Sequence, residues 1–190
     1  MDILSRYGHR SRMRQTYIKN GDASFNSCNI LELYLSIIIP QRDVKPVAYA
    51  LLNEFHSLEN VFSADFNDLQ KVCGIGENTA FLIKACNELM KRGADPDREE
   101  NVPLNDGRSR TVFAYSLMNG KDKKEKIKKS FFSKSTEEIS DRELLEGIIA
   151  VAFSCDDAKA ISDSLFAKYN TLGNILKADV PSLLKLDEIN

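Results

Sequence analysis

The chain has 190 residues with 26 basic and 28 acidic side chains, a formal net charge of −2, so it can hold one or two small packed domains and its overall charge names no partner. Cys28, Cys73, Cys86 and Cys155 show no paired spacing, which excludes a zinc ribbon, an iron–sulfur loop or a disulfide framework and points to a reducing cytoplasm. The charged N-terminal stretch has no signal-peptide pattern, and the apolar run 31–39 is shorter than the roughly 20 residues that span a bilayer, so a soluble protein without a membrane partner is expected.

Residues 5–19 form a basic helical segment in which Met13 and Tyr17 share a face with Arg10. Arg10, Arg12 and Arg14 make it a candidate surface for a nucleic-acid backbone, and Lys121–Lys129 form a second basic run. His9 is read as a surface residue and His56 as a helix-end residue. Asn26 caps a strongly apolar helix over 27–39 that must be central, and Pro40 stops it. Asp43 caps the next helix, with Pro46 in its first turn and a buried stripe of Val47, Ala48, Leu51, Leu52 and Phe55. Ser57 caps a short helix carrying Leu58, Val61 and Phe62. Nothing alternates as a half-buried strand does, so the fold expected is all-α.

Asp65 caps a further short helix whose inward positions are Leu69 and Val72. Gly74-Ile75-Gly76 then turns into a second helix, with Ala80 and Ile83 inward and its end near Arg92. Glycine in such a turn permits left-handed backbone and lets a ligand approach bare main chain. The following helix N-terminus offers unpaired N–H groups and partial positive charge, a seat for a phosphate. Cys73 and Cys86 are read as small buried apolar groups.

This stretch resembles the helix-hairpin-helix motif of sequence-independent DNA-binding proteins, with Cys73 where many members have proline. The resemblance implies that Gly74, Ile75 and Gly76 present amides to one phosphate. Asn78 and Thr79 would add side-chain donors, Lys71 and Lys84 local charge, and Arg10, Arg12 and Arg14 an extended basic surface. It also implies a potassium or sodium ion at the turn carbonyls.

Residues 93–109 are polar, with two prolines and two glycines, and read as a linker; residues 112–118 form an apolar docking piece. The division expected is a helical domain over 1–93, a linker and docking segment over 94–118, and a second helical unit over 119–190. An ungapped shift of 114 residues relates the two units: Leu31 meets Leu145, Glu32 meets Glu146, Asp43 meets Asp157, Leu58 meets Leu172 and Asp65 meets Asp179. Ser57 faces Thr171 as an equivalent cap, and Arg10, Arg12 and Arg14 fall on Lys124, Lys126 and Lys128. Two tandem related helical bundles are therefore expected. In the second, Glu188-Ile189-Asn190 replaces Gly74-Ile75-Gly76, so it should not bind phosphate by this route. It reads either as a structural brace or as part of a longer protein. Leu183, Leu184, Leu186 and Ile189 need cover, from another chain or from residues 110–118.

Residues 8–91 resemble the N-terminal helical domain of the RadC-like family. Gly8-His9-Arg10, Leu31-Glu32-Leu33, the connection Pro40-Gln41-Arg42-Asp43-Val44-Lys45-Pro46, and Gly74-Ile75-Gly76 carry the likeness. It implies a DNA-associated, repair-related protein. The metal-binding JAB/MPN-type domain that usually follows is not in this sequence, which has two histidines and no His-x-His. A non-catalytic DNA-backbone-binding module is expected, with a protein-interaction scaffold, including self-association, as the alternative. A hairpin-type DNA glycosylase is disfavoured, because Asp95 and Asp97 sit in the linker and Lys71 reads as surface charge.

Overall fold

The computed structural model describes residues 3–39, 42–95, 139–153 and 157–183, and among these every regular element is helical. The chain divides into two compact units, Met1–Lys84 and Ala85–Asn190.

The first unit comprises α1 (Ile3–Asn20), α2 (Ser27–Ile38), α3 (Lys45–Phe55), α4 (Leu58–Ser63), α5 (Phe66–Lys71) and the opening turns of α6 (Glu77–Ala94). Its helix starts have local causes. Asn26 is extended, and its side chain accepts the Asn29 amide at 2.9 Å. Ser57 accepts the Asn60 amide in the same way at 3.1 Å. The cap of α3 is Val44, one residue past the expected Asp43, yet the Asp43 carboxylate still accepts the Lys45 amide at 3.1 Å. Pro46 stands in the first turn, where a missing N–H is harmless. Asp65 does open α5, but its side chain makes no capping bond.

The core of this unit takes Leu31 and Leu35 from α2, Ala48 and Leu51 from α3, Val61 from α4, Leu69 from α5, and Ala80 and Ile83 from α6, all at most 1% exposed. Each large apolar side chain buried this way contributes about 1.5–3 kcal/mol. The expected stripes of α3, α5 and α6 are the inward faces, whereas Ile37 of α2 stays 41% exposed.

The second unit begins inside α6. Ala85, Leu89 and Arg92 are buried there, so α6 continues to make core past Lys84. It continues with α7 (Asp141–Phe153), α8 (Ala158–Tyr169), α9 (Leu172–Lys177) and α10 (Val180–Leu183). A reciprocal capping box opens α7: Glu143 N–H donates to Ser140 Oγ at 3.2 Å, and Ser140 N–H to Glu143 Oε2 at 3.0 Å. Arg92 donates to Ile139 O at 2.8 Å, Asp141 Oδ1 at 3.0 Å and Glu88 Oε1 at 2.7 Å, pinning the end of α6 to the start of α7.

One corner occurs twice, 114 residues apart. His56 ends α3 and Asn170 ends α8, both left-handed, with φ 69° and 66°. Ser57 and Thr171 cap the helices that follow. Asn60 Nδ2 donates to Phe55 O at 2.8 Å, and Asn174 Nδ2 to Tyr169 O at 3.0 Å.

Pro40, most of the linker, the piece 112–118, the run 121–129 and residues 184–190 lie outside the described residues. Cys28 is buried, but Cys73 is exposed and Cys86 half-buried, unlike the expectation for those two. In the turn the inward places go to Val72 and Ile75 instead.

Candidate nucleic-acid interface

The hairpin joins α5 to α6 through five residues. Val72 N–H donates to Leu69 O at 3.2 Å, and Ile75 N–H to Val72 O at 3.0 Å, closing a tight turn. Ala80 N–H donates to Gly76 O at 3.0 Å, which makes Gly76 the N-cap of α6. Val72 and Ile75 point inward, at 8% and 6% exposure, while Gly74 and Gly76 lie on the surface. Bare main chain therefore faces solvent at the positive end of an 18-residue helix.

The two glycines have different causes. Gly74 has φ +94°, and a Cβ there would stand 2.8 Å from Val47 Cγ2, so the fold itself demands glycine. Gly76 has no positive φ, and a Cβ there would meet nothing within 4 Å. Packing gives no reason for glycine at 76; its effect is to leave main chain uncovered on the outside.

The remaining residues of the expected site divide. The Ile75 amide is committed to Val72 O, so in this conformation the turn keeps it from an anion. Asn78 is exposed, while Thr79 is buried at 5%. Lys71 Nζ lies 2.7 Å from Asp68 Oδ1. The hydrogen bond and charge of Asp68 hold its pKa above the ordinary 10.5, so that contact persists until pH rises through the raised value. Lys84 Nζ donates to Ser63 O at 3.5 Å.

Arg10 has a structural task instead of a free charge. Its Nη1 donates to Ser36 O at 3.1 Å, and its Nη2 to Ile39 O at 3.1 Å and to Arg42 O. A guanidinium at the C-terminus of α2 satisfies carbonyls that the helix leaves unpaired and complements the negative end of its dipole. Arg12 and Arg14 are exposed.

His9 is likewise more than a surface residue: its Nε2 lies 3.0 Å from Glu32 Oε1, and Glu32 is 5% exposed. The signal was in the sequence, because Glu32 sits on the apolar face of α2 beside Leu31 and Leu35, where a carboxylate needs a partner.

The chain is 45% identical over 82 residues to the UPF0758 protein FN0909 of Fusobacterium nucleatum subsp. nucleatum. The match covers 43% of this chain and 35% of that protein, so this chain spans about a third of the length of the curated relative it matches. No family profile matches the chain. No solved structure matches it. No helix among the described residues is long and apolar enough to cross a membrane.

Proposed function

We propose that the first unit is a non-catalytic, sequence-independent DNA-binding module of a RadC-like, repair-related protein, and that the second unit is a degenerate copy of it. The observation that carries the DNA reading is Gly76, a surface glycine at a helix N-cap that folding does not demand. A phosphate approaching the bare main chain of Gly74 and Gly76 meets the positive end of α6. Asn78, Arg12 and Arg14 add exposed polar and charged groups. A potassium or sodium ion would use the turn carbonyls, oxygen donors suited to hard cations. Contacts of this kind position a protein on DNA without reading bases.

The RadC-like part is supported by the motifs of residues 8–91 and by the likeness to a UPF0758 protein. The copy is supported by the His56/Asn170 corner and its caps. A protein-interaction module is the second reading. It is favoured by the internal engagement of Arg10 and Lys71, and by Ile37 and Tyr49 exposed at 41% and 50%.

The test is binding of the whole chain to a fluorescent duplex over a range of salt. The DNA reading expects a log–log slope near −0.9 per phosphate over about 2–4 phosphates. A chain that binds no duplex at low salt returns the case to the interaction module.

A further inference from the structure

A cleft of about 230 Å³ opens in the first unit between α1 and the connection from α2 to α3. Arg10, Arg12, Arg42 and Lys45 line it with His9, against two carboxylates, Glu32 and Asp43. Both carboxylates are engaged already: Glu32 is buried against His9, and Asp43 accepts the Lys45 amide. Arg10 is held by three carbonyls. Arg12, Arg42 and Lys45 are exposed, and among the described residues no carboxylate pairs with any of the three.

Four cationic side chains against two carboxylates leave a surplus of positive charge round a concavity with a low-dielectric floor, here Met13 and Val44, and such a surplus focuses a field that draws an anion. Guanidinium forks match phosphate geometry. The volume is below the roughly 300–1,000 Å³ of sites for drug-sized ligands, and it suits a single phosphate group.

We propose that this cleft is a phosphate-binding site, and that the phosphate it takes belongs to the DNA strand seated on the hairpin. The site stands on the charge of the cleft; the source of the phosphate rests on the DNA-binding reading above. The two places share the first turn of α3. Lys45 lines the cleft, and Val47, two residues on, packs against Gly74.

The experiment uses the whole chain, the Gly76→Asp variant, and a triple variant Arg12→Gln, Arg42→Gln, Lys45→Gln. Each is titrated with inorganic phosphate at fixed ionic strength, followed by the backbone amide signals of Asp43 and Val44, and with a duplex over a range of chloride. Phosphate should move those signals in the parent and in Gly76→Asp but not in the triple variant. The duplex salt slope of the triple variant should be shallower than the parent's by about 0.9 for one phosphate lost. If phosphate moves the signals and the slope stays parental, the strand is excluded as the source. If phosphate moves the signals and no form binds duplex, the hairpin reading fails while the cleft stands. Still signals in the parent together with a parental slope in the triple variant overturn the site.

Discussion

Gly74 packs against Val47 so closely that a Cβ on residue 74 would stand 2.8 Å from Val47 Cγ2. Gly76, two residues on, has open space where its Cβ would be. Gly74→Ala should cost about 2 kcal/mol or more, from left-handed backbone and a displaced Val47. Gly76→Asp should change stability by less than about 1 kcal/mol, because aspartate is a good N-cap. Urea unfolding of the two variants beside the parent checks this.

Arg10 reads from sequence as surface charge for DNA, but it closes the end of α2. Arg10→Ala should destabilise by about 2 kcal/mol, since hydrogen bonds to a charged group are worth about 1.5–3 kcal/mol. Arg10→Lys should recover only part, because an ammonium cannot reproduce the fork. The urea midpoints of the two variants distinguish this from a free surface arginine, whose loss would leave the midpoint in place.

The helices were legible because each start carries its own chemistry. Asn26, Ser57 and Thr171 cap where their side chains indicate. The apolar spacing of Leu69, Val72, Ala80 and Ile83 fixed the inward faces of the hairpin. What sequence could not show was where long polar side chains go. Arg10 and Lys71 look alike as charges, yet one reaches carbonyls about 30 residues away and the other a carboxylate three residues back.

Arg92 and Asp141, 3% and 4% exposed at their side chains, form a buried pair 3.0 Å apart. Arg92→Ala takes the guanidinium away from the buried Asp141 carboxylate, Glu88 and the Ile139 carbonyl and should cost about 3–5 kcal/mol. The double variant Arg92→Met, Asp141→Leu should lose less, because the buried Asp141 carboxylate goes with its partner, while Glu88 and the Ile139 carbonyl still lose a donor. A double-mutant cycle in urea measures the difference.

His56 and Asn170 both hold left-handed backbone. His56→Gly should stabilise by about 0.5–1 kcal/mol, and Asn170→Gly by less, since asparagine tolerates that region better. A β-branched valine at either position should destabilise by more than about 1 kcal/mol. Thermal unfolding of the four variants tests whether the two corners respond as the same structure.

The most direct measurement is the affinity of the whole chain and of Gly76→Asp for one duplex across a salt series, with unfolding curves run alongside. The aspartate caps α6 and places a carboxylate where the phosphate would sit. The account predicts an equally stable protein whose duplex binding at low salt falls at least tenfold and whose salt slope is shallower by about 0.9. An equally stable variant that keeps the parent's affinity and slope would contradict it.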